Sequence, residues 1–587
     1  MGKSMTDKFE KLCQFYRQTL KGWMVQEICN GFNKLYNIMD RMKADAGIDE
    51  ARITPYRTER FQVHSVMDSH DGGVIPSICS MTEEDTLSDV NTNEDDFLPF
   101  PHLLTEEDTI SDEPTNELTH VSSAEKSTFT IIDRKEVYTL GDKIKVQIEL
   151  YDHAGNRKSS GGELVKVTLT RSDLTNTAVT GYVLDNGNGS YTAEIEALWA
   201  GKSNLSASLV YSRQAIAALY RIRREILSTR VIQATFSSRT YQETTDCHPN
   251  ISHLLKLKNY SAFCNFTYIN SGMPWYCGRP RDIHLLCEDW HAVKTQAFPP
   301  LPITKVEDTI ISRGVVPISK AIALQVAGNR QMEAKNPCSR RNFRELWRER
   351  QSTGYFFNGI WHLRQCAGIN RTQIPGCIQN KTMYLLGDST LRQWYLNYVL
   401  KNLECQPTSE DWTKVKWLKP ATCRNKQLNF SASWFIPSQP IFADDDENSY
   451  TLYSIARHID DIPDNEETFV VIHLFMHMVP YHHGVFQKRM AIIKRSVEKL
   501  LNRNPKAKVF LKAPHTFLDT PWGGARLDDF FGFLYTNILY QTFRGLHDKV
   551  VFLNNRDSSD ALQLKPNHPP PYVVLAMVDQ MFSYACT

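Results

Sequence analysis

The sequence predicts a multidomain protein in which a β-sandwich is followed by an α/β domain with a parallel sheet. The chain has 587 residues, which is more than one hydrophobic core normally covers. Between about residues 125 and 212, apolar residues alternate with polar ones, which is the period of strands with one buried face. From about residue 335, strand patterns alternate with helix patterns, which is typical of βαβ units.

Charge and hydropathy exclude several classes of partner. The 67 Lys and Arg residues nearly balance the 66 Asp and Glu residues, for a net charge of +1. This balance gives no electrostatic reason to expect binding to nucleic acid or to an anionic membrane. No run of about 18 apolar residues is present, so we predict no transmembrane segment.

The cysteines and glycosylation sequons indicate passage through the secretory pathway. Ten of the 13 cysteines follow residue 240, and this even number suits five disulfides. None of the ten forms a Cys-x-x-Cys pair, so we predict no zinc site, and no motif calls for a cofactor. Eight Asn-x-Ser/Thr sequons predict a glycoprotein and begin at Asn188, Asn204, Asn250, Asn259, Asn265, Asn370, Asn380 and Asn429.

The first 120 residues are predicted to hold an amphipathic helix and a flexible acidic linker. Apolar residues recur at steps of three to five over residues 5–44, as on one face of a helix. Residues 80–120 are acidic and poor in apolar side chains, and such a segment cannot offset its ordering entropy by burial. Residues 1–30 contain no apolar core of a signal peptide, so we expect a missing or mis-predicted first exon.

Residues 121–237 are interpreted as an immunoglobulin/filamin-like β-sandwich. Alternating apolar residues predict strands at 144–150, 165–169 and 205–209, separated by glycine-rich turns. The turn at 185–192, Asp-Asn-Gly-Asn-Gly-Ser-Tyr-Thr, is similar to the late strands of a filamin-type repeat. Such a module spaces other domains or binds a protein partner.

A cysteine-rich connecting region over residues 238–334 leads to an α/β domain over residues 335–587. The connecting loops are predicted to be stapled by disulfides rather than held by a core of their own. In the α/β domain, strands are predicted at 383–386, 469–475, 508–512 and 550–553, with helices after the first two and at the C-terminus. Active sites of such sheets lie at the carboxyl ends of the strands.

Ser389 is the candidate nucleophile because it directly follows the first of these strands. A serine between Gly387-Asp388 and a helix exposes its hydroxyl, and the helix N-terminus favours an oxyanion formed there. The alternative is a serine that only caps the helix.

A second feature near the C-terminus supplies the candidate base and acid. His568 is followed by three prolines, and the acids Asp557 and Asp560 precede it. Serine hydrolases of the SGNH type have the nucleophile first and the acid and base last. Ser389, Asp557 and His568 follow this order, with Asp560 as the second choice of acid.

These motifs together resemble those of the neurexophilin and PC-esterase domain (NXPE) family. The resemblance rests on the 185–192 turn, Pro-Trp-Tyr-Cys-Gly-Arg-Pro at 274–280, Trp-His-x-x-x-Cys at 361–366, Gly-Asp-Ser at 387–389 and His-Pro-Pro at 568–570. It implies an SGNH-like PC-esterase domain, a location outside the cell or in the Golgi lumen, and acyl transfer on glycans. The group implied is acetyl, sialic acids are one candidate acceptor, and the acyl donor is not specified.

The chain departs from the SGNH pattern at two positions. The acid normally lies three residues before the base, where this chain has Lys565, so the resemblance favours Asp557 instead. The oxyanion-hole asparagine after a central strand is not evident, and His477 is similar to the family's polar residue at that place. A neutral imidazole can donate this hydrogen bond.

The resulting hypothesis is a Ser-His-Asp acyl-enzyme mechanism in an esterase or an O-acetyltransferase, between which the residues do not choose. Arg392, one turn after Ser389, is expected either to contact an anionic substrate or to form a structural ion pair with Asp388. The alternative hypothesis is a catalytically inactive secreted protein that binds or adheres through its β-sandwich. The missing acid at position 565 favours the alternative, whereas Ser389 and His568 favour catalysis.

Overall fold

The structure is a computed structural model that describes most residues from 106 to 586. The residues it does not describe within that span are 108, 111–112, 172, 226–231, 259, 269, 271, 273, 296–302, 329–334, 409–419, 437–453 and 518–528. All described residues belong to one compact unit. The helix predicted over residues 5–44 lies outside the described residues, as does most of the acidic linker.

Eight strands and a helix follow the predicted linker. The strands are β1 (Thr128–Ile132), β2 (Tyr138–Thr139), β3 (Lys143–Glu149), β4 (Leu164–Thr170), β5 (Ala178–Thr180), β6 (Tyr182–Asp185), β7 (Ser190–Glu196) and β8 (Gly201–Tyr211). Alternate residues of β3 are buried, as its period of two predicts. Helix α1 (Arg213–Glu225) ends this part of the chain.

The cysteine-rich region has its own antiparallel sheet and a small core. Its elements are β9 (Ile232–Ser238), β10 (Tyr241–His248), α2 (Ile251–Leu257), β11 (Phe263–Asn265), β12 (Tyr276–Gly278) and β13 (Trp290–Thr295). The strand order is β11-β12-β10-β9-β13. Trp275 and Phe236 are fully buried in this core, so the region is packed as well as stapled.

Three later strands return to the sheets formed by β1–β8. Helices α3 (Lys305–Ser312) and α4 (Phe343–Arg348) accompany β14 (Val316–Ala327), β15 (Gly354–Phe357) and β16 (Ile360–Leu363). The two sheets have the orders β1-β3-β7-β6 and β16-β15-β5-β4-β8-β14-β2. Their facing residues form one core, which includes Val146, Leu169 and Leu205. The layered sheets therefore include strands from the predicted connecting region and from the start of the predicted α/β domain.

The C-terminal part is built on a mixed seven-stranded sheet of order β18-β19-β20-β17-β21-β22-β23. Its strands are β17 (Thr382–Gly387), β18 (Gln406–Pro407), β19 (Ala421–Asn425), β20 (Phe430–Phe435), β21 (Thr468–His473), β22 (Lys508–Lys512) and β23 (Val550–Leu553). The five strands from β20 to β23 in this order are parallel, whereas β18 and β19 are antiparallel additions. The four predicted strands are β17, β21, β22 and β23.

Helices alternate with these strands along the C-terminal part of the chain. They are α5 (Ile374–Ile378), α6 (Ser389–Trp394), α7 (Leu400–Asn402), α8 (Ile455–Asp460), α9 (His483–Arg503), α10 (Phe531–Thr542), α11 (Arg556–Ala561) and α12 (Pro571–Ala585). A π-helical turn, Tyr395–Val399, joins α6 to α7. Within the described part of the chain, none of the helices has the length and apolarity needed to cross a membrane.

Ten cysteines form five disulfides, which confirms the prediction made from their number. The pairs are Cys247–Cys277, Cys264–Cys287, Cys338–Cys366, Cys377–Cys586 and Cys405–Cys423. The first two staple the cysteine-rich sheet, and the fourth joins α5 to the end of α12. Disulfides of this number are compatible with an oxidising compartment.

Candidate active site

Ser389 is the first residue of α6, directly after strand β17. Asp388 caps the helix, since its Oδ1 accepts hydrogen bonds from the Thr390 amide at 3.0 Å and from its hydroxyl at 2.6 Å. Ser389 is therefore not the capping residue, and its hydroxyl is left for another partner. A side chain at Gly387 would overlap the carbonyl oxygen of His473 on β21, so only glycine fits where the chain turns toward the serine.

His568 is that partner of Ser389. Its Nε2 lies 2.8 Å from Ser389 Oγ, within hydrogen-bond distance, although the two residues are 179 positions apart. His568 lies in the loop that leads into α12, where Pro571 is the first helical residue. The structure thus brings together the nucleophile and the base that the sequence predicts. A serine hydroxyl bonded to an imidazole nitrogen is the arrangement that activates serine for attack.

Three influences set the charge state of His568. Although the His568 side chain is exposed at the surface, the surrounding protein partly desolvates the ring and so lowers its pKa; Asp388 opposes this effect, and the cation of Arg392 adds to it. The net pKa lies below the usual value of 6.5, so the imidazole is neutral and able to accept a proton at pH 7.

A buried polar cluster lies beneath Ser389, formed by Asp388, His473 and Lys512. The Nδ1 of His473 donates to the Lys512 carbonyl at 3.0 Å, and its Nε2 lies 3.6 Å from Asp388 Oδ2. Lys512 Nζ lies 3.4 Å from the same Nε2 and donates to the Ala513 carbonyl. Burial lowers the pKa of Lys512 to about 7, against the attraction of Asp388, and burial also lowers the pKa of His473 well below its usual value. Lys512 and Asp388 thus attract one another within the cluster.

His477 and Arg392, the predicted oxyanion and substrate residues, both belong to segments at this edge of the sheet. His477 follows β21, which is the parallel neighbour of β17, with Gly387 opposite His473. Arg392 is half-buried, its guanidinium lies 5.8 Å from the Trp434 ring centroid, and its charge acts on His568. Both positions are compatible with the predicted contacts, which remain predictions.

Asp557, the predicted triad acid, has other partners. Its Oδ2 accepts from the amide and hydroxyl of Thr353, at 2.7 and 2.9 Å, and its Oδ1 accepts from Asn554 at 3.0 Å. Among the described residues, no hydrogen bond joins Asp557 to His568. Burial raises the pKa of Asp557 to about 7, and nearby Asp560 adds to this. Asp557 therefore lacks the contact through which an acid orients the base.

Asp560, the second choice, forms a buried ion pair with Lys166 on β4 and lies 3.5 Å from Arg556 Nε. Both acids line a cavity of about 390 Å³ between the layered sheets and the C-terminal part, and neither Ser389 nor His568 lines it. Helix α11 thus directs its two acids away from the candidate active site.

Three residues outside the site have metal-ligating atoms close together. Glu107 Oε2 lies 2.6 Å from Nδ1 of His483 and 3.8 Å from Nε2 of His482. Glu107 is fully buried and forms a bidentate ion pair with Arg223, which also holds its pKa well below the usual range. The Nδ1 of His482 accepts from the Gly484 amide, so in the neutral ring Nε2 carries the proton and is no metal ligand. The cluster instead fixes residue 107 of the predicted linker to the body of the protein.

Sequence reasoning missed the residues that support the two reactive side chains. Gln393 and His515 bond the backbone on either side of His568, and Lys512 lies beneath the site. Gln393 carried the only available signal, because it lies one turn after Ser389 on the same helix. No local sequence motif distinguishes His515, which lies three residues after the end of β22.

Comparison with known protein families gives two matched spans. Residues 361–586 match the family model described as NXPE family member 4-like, C-terminal domain, and this span contains both Ser389 and His568. Residues 105–293 match the family model described as neurexophilin, a span that contains β1–β12 and the first four residues of β13. The two spans lie in the same order as the two groups of motifs in the sequence.

Proposed function

Because the chain belongs to the NXPE family, as its motifs predicted, we propose that Ser389 and His568 catalyse acyl transfer in an SGNH-like, PC-esterase-like domain. The observation that carries the proposal is the 2.8 Å contact between Ser389 Oγ and His568 Nε2. It is supported by the place of Ser389 at the carboxyl end of a central parallel strand, where α/β sheets bind ligands.

The proposed reaction has two halves. In the first, Ser389 Oγ bonds to the acyl carbon, its proton passes to His568 Nε2, and the leaving alcohol takes that proton as its bond to the acyl carbon breaks. In the second, an acceptor hydroxyl gives its proton to His568 and bonds to the acyl carbon; the bond between the acyl carbon and Ser389 Oγ then breaks as His568 returns the proton to Oγ. Water as acceptor makes the protein an esterase, whereas a sugar hydroxyl makes it an O-acetyltransferase.

The oxyanion formed in each half requires hydrogen-bond donors near Ser389. The Ser389 amide is among the first amides of α6, which have no partner within the helix. We assign it and His477 to the oxyanion, since such donors contribute most where charge develops. Arg392, whose charge acts on His568, is assigned to an anionic substrate.

The proposed acceptors are glycans of secreted or Golgi-luminal material, and the proposed group is acetyl. A sialic acid carries a carboxylate, which suits a cation one helical turn from the nucleophile. The layered sheets, proposed to be an immunoglobulin/filamin-like sandwich, are a candidate surface for a glycoprotein or other protein partner. The five disulfides support a location in the secretory pathway.

A second candidate is a binding protein without catalytic activity. The observation that favours it is the His568 ring, whose Nδ1 has no hydrogen bond to a described residue. An orienting acid at this nitrogen is the third member of the usual triad.

The deciding experiment is covalent labelling of the purified secreted protein by a serine-directed fluorophosphonate. We expect wild type to be labelled and both Ser389→Ala and His568→Ala to be unlabelled. Ser558→Ala is the matched control, because Ser558 is buried on α11 and its hydroxyl bonds the Asn555 carbonyl. Loss of labelling in the control, or no labelling of a folded wild type, would favour the binding protein. Hydrolysis of acetylated sialosides, with and without added sugar acceptor, then distinguishes the esterase from the transferase.

A further inference from the structure

The backbone is held by buried or half-buried side chains on both sides of His568. Before it, the Asn567 carbonyl accepts a hydrogen bond of 2.6 Å from His515 Nε2. After it, the Pro569 carbonyl accepts one of 3.1 Å from Gln393 Nε2. We propose that Gln393 and His515 are positioning residues that hold His568 within reach of Ser389, an inference that rests on the proposed function.

Gln393 links the loop of the base to the helix of the nucleophile. It lies four residues after Ser389, so both side chains extend from the same face of α6. A carbonyl oxygen only accepts hydrogen bonds, so the amide nitrogen of Gln393 must face Pro569. A movement of α6 therefore carries the His568 loop with it, and the distance between the two reactive atoms is kept.

His515 links the same loop to the central sheet. It follows β22 by three residues, it is 1% exposed, and its ring packs near those of Phe475 and Phe517. Burial, with the adjacent Lys512, lowers the pKa of His515 far below the usual range, so the ring is neutral. Because the backbone carbonyl of Asn567 can only accept a hydrogen bond, the proton of the His515 ring must be on Nε2. A neutral, fully buried ring is a rigid donor.

Two anchors are needed here because the ring itself has few restraints. Its Nδ1 has no hydrogen bond to a described residue, and its side chain is exposed at the surface of the site. Pro569 restricts the backbone of His568 to extended conformations, but this does not fix where the loop lies. The two flanking carbonyl bonds fix the loop, and so take over the role that an orienting acid has in the usual triad.

The inference predicts that loss of either anchor slows acylation without unfolding the protein. A displacement of about 1 Å costs about 10²-fold in rate at a site of this kind. We therefore expect Gln393→Met and His515→Phe each to reduce the fluorophosphonate labelling rate by about 10²-fold. His515→Gln, whose amide nitrogen can reach the Asn567 carbonyl, should restore most of the rate. In wild type, the labelling rate should fall at acid pH as His568 takes up a proton. In Gln393→Met and His515→Phe, this dependence of the labelling rate on pH should be weaker.

Two matched controls remove the same kinds of bond elsewhere. Tyr398→Phe removes a 2.8 Å bond to Asp579 that joins the π-helical turn after α6 to α12, without contacting the loop. His547→Phe removes a buried histidine that donates to the Tyr540 carbonyl. Both should label at the wild-type rate, even where their Tm falls as much as that of the anchor variants.

The outcomes separate this inference from the proposed function. Labelling that depends on Ser389 but is equal in Gln393→Met, His515→Phe and the controls overturns the positioning role alone. Should His515→Phe not fold, the half-buried Gln393→Met decides. Should wild type not be labelled, the proposed function fails, and a crystal structure of Gln393→Met decides: a Ser389 to His568 distance beyond about 3.5 Å supports the inference, and 2.8 Å overturns it.

Discussion

Two regions of the C-terminal part hold polar side chains in opposite environments. At the carboxyl edge of β17, Ser389 and His568 meet in a site that is open to a ligand. Around α11, Asp557 and Asp560 are buried against the layered sheets, where Thr353 and Lys166 hold them. In the first region the Ser389 hydroxyl bonds to a neutral base, whereas both carboxylate oxygens of Asp557 accept hydrogen bonds from Thr353 and Asn554. Proximity in sequence to His568 therefore does not make these acids part of its site.

The two regions differ in how fully their polar groups are hydrogen-bonded. Buried polar groups that have all their hydrogen bonds contribute to the fold and its specificity, whereas exposed groups with unused capacity can react. Asp557 accepts three hydrogen bonds from protein donors, and Asp560 pairs with a lysine from another layer. We infer that α11 joins the two layers while the loop after it carries the chemistry.

The largest expected effect distinguishes the base from the predicted acid. Substituting His568 by alanine removes the general base and should lower the labelling rate by about 10²–10⁴-fold. Asp557→Asn should label at the wild-type rate at pH 7.5, because Asp557 contacts Thr353 and Asn554 instead of the imidazole. Rate constants for both variants, measured at equal folded concentration, test the comparison.

An orienting acid would behave differently. In serine triads, the Asp to Asn change costs about 10⁴-fold even though the geometry is kept. A loss of that size in Asp557→Asn would mean that Asp557 reaches His568 during the reaction. The two environments would then belong to one site.

The next effect concerns stability. Asp560→Ala leaves Lys166 buried without its carboxylate, and breaking such a pair costs about 3–5 kcal/mol. The double variant Lys166→Met, Asp560→Leu should recover most of this loss, because an apolar pair needs no compensation. Thermal unfolding measures both, with the exposed pair Arg457–Asp461 as the control, where Asp461→Ala should cost less than about 1 kcal/mol. Equal losses at the two sites would contradict the burial argument.

A smaller expected effect of the same region is on how the stability of the protein changes with pH. Asp557 has a pKa of about 7 when folded and an ordinary value of 3.8, so above about pH 4 the unfolded state ionises while the folded state keeps its proton. This group's contribution to stability therefore falls as pH rises from about 4 to about 7, by at most about 1.4 kcal/mol per pH unit, and is constant above. Asp557→Asn should flatten that slope. An unchanged slope in the variant would assign it to another group.

The sequence predicted the elements whose signal is local. Alternation marked β3, β4 and β8, short apolar runs marked β17, β21, β22 and β23, and the glycine at 387 marked the turn before the nucleophile. It also predicted the Ser389 and His568 pair, because chain order and prolines are visible in the sequence. The strands and the turn depend on neighbouring residues, and the pair was found from chain order. A single sequence shows both kinds of feature.

What the sequence did not predict depends on distant contacts. Strands β15 and β16 join the layered sheets across 178 positions, from Ala178 to Phe356, and no local pattern specifies that pairing. Glu107 lies in an acidic stretch with the composition of a linker, yet it is buried by its ion pair with Arg223. Asp557 was predicted as the acid from its distance along the chain to His568. It lies at the start of α11, and its side chain contacts Thr353 instead.

The smallest expected effect is a change in the pKa of His568. Burial and the charge of Arg392 both lower the pKa of His568, while Asp388 raises it. Because the base must be neutral, labelling should fall only at a pH below the usual histidine value of 6.5. Arg392→Gln removes a neighbouring cation, so the pKa of His568 rises and the acid limb of the rate profile moves to higher pH. Arg371→Gln, which loses an exposed ion pair with Asp579, is the control and should leave the limb in place. A shift to lower pH in Arg392→Gln would mean that Arg392 acts on the site by contact rather than by charge, and its proposed role toward an anionic substrate would lose its electrostatic basis.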